Sequence, residues 1–311
     1  MKSIVIYHSI TGNTKKIAEA IHAGVKKAGG DSDLVKIKDV KPGDLAGYDL
    51  IGIGSPVINQ RELYNVTNFI EFGMSGVDGK HGFAFCTHGA LPSRYLARVT
   101  TALRQRGLTI IGWNDWFGSV FYPGCPQPYF TDGHPDEIDL KEAEDFGREM
   151  LDRSRKIYAG DNSAVPEFPR GDKYDQLYDP DSMPSMEVLS RFRIAQARTL
   201  EFKVNTAKCK YPKCHLCVDN CPMNNIDFSG EEPLFGINCD KCYLCEQACP
   251  CGAIEVNWKP FHDAHFPMIE HLQRSLDIFE ARGRFRRLVP NEKIGWDNFF
   301  WTKKHPRIKI V

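Results

Sequence analysis

The chain lacks any long hydrophobic run; nothing in it approaches the ~18 apolar residues that a membrane span requires. It also lacks an excess of either charge. Forty Lys and Arg oppose forty Asp and Glu, for a formal net charge of zero, so no overall field draws it to nucleic acid. A secretory leader is missing as well, because the apolar start MKSIVIYHSI passes directly into polar TGNTKK with no cleavage site. No nicotinamide fingerprint is visible. What remains is a globular chain of 311 residues, 42% hydrophobic and 26% charged, long enough for two domains. These absences place it in the cytoplasm, without a membrane span or a nucleic-acid partner.

Cysteine is present and unevenly spread: of eleven, eight fall between Cys209 and Cys249. They form two runs, Cys209-KYPK-Cys214-HL-Cys217-VDN-Cys221-Pro222 and Cys239-DK-Cys242-YL-Cys245-EQA-Cys249-Pro250. The second run matches C-x2-C-x2-C-x3-C-P, the pattern of bacterial ferredoxins, in which the fourth cysteine of each run ligates the other run's cluster. Zinc also accepts paired C-x2-C but needs four ligands, not eight so tightly spaced. The expectation is two [4Fe–4S] clusters in a reducing compartment, in an anaerobe.

The N-terminal half alternates strand and helix. Short apolar runs at Lys2–Tyr7, Asp33–Ile37, Asp49–Gly54, Gly82–Cys86 and Leu108–Trp113 read as strands. Helical spacing appears at Lys15–Ala28, Pro92–Arg106 and Leu140–Tyr158. Such alternation predicts βαβ units and a doubly wound parallel five-stranded sheet of the α/β class. From Gly160 to Pro184 prolines and acidic residues predict a linker, and Met186–Phe202 a docking helix. Short strands are expected after each Cys-Pro, at Asn225–Phe228 and Ala253–Trp258, within a small α+β domain. Ile269, Leu272, Leu276 and Phe279 make a further amphipathic helix stripe.

Between the first strand and helix lies Tyr7-His8-Ser9-Ile10-Thr11-Gly12-Asn13-Thr14. Hydroxyls and a glycine at a helix N-terminus make an anion site, where free N–H groups and the helix dipole face the ligand. The loop has neither GK[ST] nor G-x-G-x-x-G spacing, and an N-capped turn is the competing reading. The segment IVIYHSITGNTKKIAEAI resembles the flavodoxin signature Y-x-S-x-T-G-N-T. That resemblance covers roughly residues 1–158 and implies FMN, with its phosphate on Ser9, Thr11, Gly12, Asn13 and Thr14. It makes Ser55, Pro56, Val57, Ile58 and Asn59 the second flavin loop and Thr87, His88 and Gly89 the third. Small flavodoxins sandwich the ring between aromatic residues, and here Ser55–Arg61 offers none.

Together the halves resemble the fused flavodoxin–ferredoxin iron–sulfur flavoproteins of anaerobic prokaryotes. The resemblance implies a flavodoxin-like domain at 1–159, a linker and docking helix at 160–206, a ferredoxin domain at 207–260 and a basic, aromatic extension at 261–311. It implies one cluster on Cys209, Cys214, Cys217 and Cys249 and another on Cys239, Cys242, Cys245 and Cys221. Four residues rather than two separate Cys209 from Cys214; a longer loop can still reach an iron, and the alternative is a three-iron cluster. The implied function is electron transfer between FMN and the clusters, to or from a partner reductase or dehydrogenase. The flavin edge is then expected near a cluster, within the chain or across a homodimer contact. The alternative is an FMN-dependent reductase acting directly on a substrate, with His88, near Thr87 and Tyr95, as proton donor. A redox sensor is a third reading, disfavoured because no DNA-binding helix pair is visible. Cys86, Cys125 and Cys251 read as buried small residues, His262 and His265 as a surface turn, and the basic tail from Arg282 as a solvated or internally paired cover.

Overall fold

In the computed structural model of this chain the described residues are 1–41, 43–168, 201–230 and 233–310, with 185, 187, 188, 190, 191 and 194. Most of the expected linker and docking helix lies outside them. The chain divides into two compact units, Met1–Ser119 with Gly133–Asp179, and Val120–Asp132 with Pro180–Val311. The alternation of strands and helices gives no sign that Val120–Asp132 groups with the second unit.

The first unit is the expected parallel sheet. Its strands are β1 (Lys2–Tyr7), β2 (Asp31–Lys36), β3 (Leu50–Pro56), β4 (His81–His88) and β5 (Thr109–Phe117). They pair in the order β2-β1-β3-β4-β5, all parallel, the flavodoxin-like doubly wound order. Helices α1 (Asn13–Lys27), α2 (Tyr64–Asn68), α3 (Tyr95–Gln105) and α4 (Glu137–Tyr158) cover it. Because strand side chains alternate, each strand feeds two cores. Val5, Tyr7, Phe83 and Phe85 meet Ile17, Ile21 and Val25 of α1 and Phe146, Met150 and Leu151 of α4. Ile4, Ile6, Ile53, Ala84 and Cys86 meet Tyr95, Leu96, Val99 and Leu103 of α3.

β5 runs four residues beyond its expected end at Trp113. The extension keeps register with β4 as far as the pair His88 and Phe117, after a slip between Gly82 and Phe83. Ile111 is the extra residue of that bulge, and it reverses which residues of β5 face which core. Trp113, Asp115 and Phe117 therefore share a face with Ala84, Cys86 and His88. The polar sequence Asn114-Asp115 hid this extension from a search for apolar runs. α1 and α4 begin earlier than expected, at residues 13 and 137, because their first turns are polar. α2, continuing into a π-helical turn at Phe69–Gly73, was not foreseen.

The second unit contains short antiparallel pairs, β6 (Lys203–Val204) with β9 (Ile254–Glu255) and β7 (Ile226–Asp227) with β8 (Leu234–Phe235). Between them lie α5 (Leu216–Asp219) and α6 (Leu244–Ala248), and α7 (Trp258–Ala281) follows. The expected strand to Trp258 ends at Glu255, since Trp258 opens α7. His262 and His265, expected in a surface turn, sit inside that helix instead. His265 is buried, stacked on Phe261 at 5.2 Å and tilted against Tyr122 at 5.4 Å. Burial, then the charge of His262, pushes its pKa down to about 3, so it serves as a neutral aromatic. Met268, Ile269, Leu276 and Phe279 are buried along α7, so the predicted stripe is an internal docking face. No helix among the described residues is long and apolar enough to cross a membrane.

Two glycines set the approach of α1 to α4. A Cβ on Gly24 would lie 1.9 Å from the Glu144 carbonyl oxygen, and one on Gly147 would lie 2.1 Å from that of Ile21. The helix backbones touch reciprocally. Gly147→Ala should therefore destabilise the first unit by roughly 1–3 kcal/mol through overpacking, although alanine gains ~1 kcal/mol over glycine in an unencumbered helix. A urea midpoint that rises in this variant would refute the contact.

Candidate functional site

The end of β4 and the segment after β5 both reach the start of α1 at the carboxyl edge of the sheet. Gly12, at φ 101°, caps this helix from the left-handed region, and no side chain caps its first-turn N–H groups. α4 differs: Asp136 accepts from the Ile138 and Asp139 amides in a closed capping box. The α1 terminus thus keeps open donors where Ser9 and Thr11 supply hydroxyls. Ser9 Oγ accepts from Gly12 N–H at 3.2 Å, which shapes the loop. Asn13 Nδ2 donates to the Ser119 carbonyl at 2.8 Å, tying in the segment after β5. Thr14 and Thr87 hydroxyls meet at 2.7 Å, both buried. Of the expected phosphate residues, Asn13 and Thr14 therefore have side chains engaged within the protein, leaving their backbone amides for a ligand.

The second loop is a tight hairpin. Ile58 and Arg61 exchange backbone hydrogen bonds at 3.0 and 3.2 Å, with Asn59 and Gln60 at φ 52° and 65°. Two successive left-handed residues mark a type I′ turn, and Ser93 in the third loop is also left-handed, at φ 49°. Arg94 N–H reaches the Gln60 carbonyl at 3.4 Å, and Val57 N–H the Thr87 carbonyl at 2.8 Å. The second and third loops are therefore held together by backbone. Ser55 is fully buried, while Pro56, Val57, Asn59 and Gly89 are half-buried.

At this edge the face shared with α3 carries polar groups. His88 Nε2 lies 2.8 Å from Asp115 Oδ2; the imidazole is 1% exposed and the carboxylate 26%. His88 Nδ1 is buried without a hydrogen-bond partner. Sequence reasoning singled out His88 but missed Asp115, whose only signal was the alternation Trp113-x-Asp115-x-Phe117. His8 Nδ1 meets Asn65 Nδ2 at 3.2 Å, and its Nε2 is another buried orphan. Burial, helped by Lys36 and Lys38, pushes the His8 pKa down to about 4, so the ring is neutral at pH 7. Buried polar atoms are rarely left unpaired.

In the second unit the cysteines sort by space rather than by run. Cys221, Cys239, Cys242 and Cys245 line one cavity, walled by Phe202, Ile226, Phe235, Tyr243 and Leu244. Cys209, Cys217 and Cys249 share an apolar cluster with Cys251 and Cys245 around Ala253 and Ile254. Thus Cys221 joins the second run's cysteines and Cys249 the first run's. Cys214 closes a turn in which its N–H reaches the Lys210 carbonyl at 3.2 Å. Backbone amides donate to sulfur: Asn225 to Cys221 at 3.3 Å, Lys241 to Cys239 at 3.4 Å and Ala253 to Cys249 at 3.2 Å. Burial raises the Cys217 thiol to about 11 and the Cys242 thiol to about 12, so a metal is needed to hold either as thiolate.

Other clusters have structural roles. His134, Asp136 and Asp139 bring ligand atoms within 4.8 Å of one another, but both carboxylates serve the α4 capping box. The basic tail is paired internally in part. Arg287 reaches Asp277 and Glu280, each at 2.6 Å. Arg307 pairs with buried Glu246 of α6, and His305 Nε2 lies 3.4 Å from the same carboxylate. Cys86 and Cys125 are buried, and burial raises both thiols, as expected for packing residues.

The family model for the flavodoxin domain matches residues 4–106. A flavodoxin of Megasphaera elsdenii is 31% identical over 110 residues, 35% of this chain and 80% of its own length. An uncharacterised protein of Methanocaldococcus jannaschii is 28% identical over 165 residues, covering 49% of this chain and 99% of that one. An NAD(P)H dehydrogenase (quinone) of a Bradyrhizobium species is 25% identical over 197 residues, covering 50% and 98%. With the sheet order, the signature loop and these matches together, the chain belongs, through its N-terminal half, to the flavodoxin family.

Proposed function

We propose that this protein is an electron-transfer iron–sulfur flavoprotein, relaying electrons between FMN in the first unit and two [4Fe–4S] clusters in the second, to or from a partner oxidoreductase. The observation that carries the reading is the pairing of an uncapped α1 terminus with two runs of cysteines in which Cys221 packs with the second run and Cys249 with the first. FMN exchanges one or two electrons and each cubane one, so such a chain converts paired electrons into single ones. First-turn amides of α1, with the Ser9 and Thr11 hydroxyls, would hold a terminal phosphate with neutral donors. The hairpin at Ile58–Arg61 and the loop from Thr87 to Gly89 would flank the ring.

Two runs of four tightly spaced cysteines exceed the four ligands that one zinc takes. A cubane spreads its thiolates over four irons, and the N–H···S bonds and apolar walls are the levers that tune it. A second reading has its own observation: the His88–Asp115 pair presents an unpartnered nitrogen at the ligand edge. In an FMN-dependent reductase, Asp115 would orient the imidazole and His88 would hand a proton to the substrate.

Denaturation should release FMN and no FAD. Thr11→Val should weaken FMN binding by about 0.5–1.5 kcal/mol, up to roughly tenfold; unchanged affinity in a fluorescence titration would remove Thr11 from the site. Protein prepared anaerobically should carry about eight irons per chain. Cys245→Ser should halve that content and slow flavin reduction by a donor that uses the clusters, with FMN content unchanged. Normal flavin kinetics in a chain shown to lack one cluster would defeat the relay. His88→Gln should leave electron exchange with a one-electron donor unchanged. If turnover of a quinone by the purified protein alone falls ten-fold or more in that variant, the reductase reading replaces the relay.

A further inference from the structure

Cys251 is the one cysteine of the 209–251 region outside both runs, two residues past Cys249. Cys249 is extended, at φ −61° and ψ 115°, and extended backbone puts residues i and i+2 on one side. Gly252, at φ 60°, then turns the chain away. The two sulfurs consequently lie 3.8 Å apart, and Cys251 is half-buried in the apolar cluster that holds Cys209, Cys217 and Cys249. Ala253 N–H, which donates to Cys249 Sγ at 3.2 Å, also faces the Cys251 sulfur. A residue present only as filler would not need its sulfur beside that of the cysteine next in line to bind iron. The first site thus gathers Cys251 beside three of the four cysteines that the family pattern assigns to it.

We propose that Cys251 is a reserve ligand of the cluster held by the Cys209 group, able to take the iron that Cys249 holds. The inference rests on the cluster reading above. The exchange balances without an oxidant: Cys249 leaves its iron and takes up one proton, Cys251 gives up one proton and binds, and no electron moves. Neither thiol has far to travel, and the Ala253 amide remains in place as donor to whichever sulfur is bound.

The test is iron content and the paramagnetic signal of the full chain, reconstituted anaerobically and reduced. Wild type and Cys251→Ser should each hold about eight irons. Cys249→Ser should also hold about eight, with an altered signal from one cluster, and Cys249→Ser/Cys251→Ser should fall to about four. Cys245→Ser should fall to about four by itself. If Cys249→Ser alone falls to about four, as low as the double variant, while wild type keeps eight, Cys251 is no ligand and the inference fails. Wild type without iron would instead defeat the cluster reading on which it rests. Circular dichroism and FMN content show that each variant is folded.

Discussion

Parallel pairing obliges every strand of a sheet to end on the same edge, and the first unit is organised by that obligation. Crossover helices return the chain to the opposite edge each time, so four loops distant in sequence meet beyond Tyr7, Pro56, His88 and Phe117. Strand alternation then decides what each loop presents. Residues 5 and 7 of β1 go to the α1 and α4 core, residues 4 and 6 to the α3 core, and position 8 continues the second series. The apolar stripe therefore ends in histidine just where the chain leaves the core, on β1 and again on β4. A single bulge residue, Ile111, brings Asp115 onto the same face as His88.

Much of this was legible because the fold is written in local patterns. β1 was readable to the residue, since KSIVIY is apolar between polar flanks. The Ser9–Thr14 segment was readable as the turn between β1 and α1, where hydroxyls and glycine suit a helix N-terminus. β5 was cut short because a strand near a ligand edge acquires polar residues, which erases the apolar signal used to find it. The Asn59–Gln60 turn was hidden for a related reason. Neither residue is glycine, yet both hold positive φ, a strain that tertiary pairing sustains and no propensity foretells.

In the second unit the spacing of cysteines singled out two runs but could not report which sulfurs pack together. Ligand exchange between the runs came from resemblance, and the packing of Cys221 with Cys239, Cys242 and Cys245 agrees with it. Cys251 packs half-buried in the apolar cluster around Ala253 and Ile254, and sequence separation could not report its 3.8 Å approach to the Cys249 sulfur. The histidines of α7 were misjudged because HDAH looks polar, whereas one of its rings is packed among aromatic residues.

The excursion at Val120–Asp132 bears on how the protein is made. Its base is pinched within the first unit, where Ser119 N–H meets the His134 carbonyl at 3.0 Å. Its partners in the second unit come far along the chain: Tyr122 packs on Tyr243 and Phe261, Asn298 Nδ2 reaches the Gln127 carbonyl across 171 positions, and Phe300 N–H reaches that of Cys125. On the ribosome the first unit can close around a finished sheet while this stretch, with Tyr122 and Phe130, waits for partners still to be synthesised. The two units are thus interleaved along the chain, and a cut after the last helix of the first would carry off a piece of the second. Loop closure over such a separation is slow, so Asn298 and Phe300 clasp this stretch only after the residues between have been made.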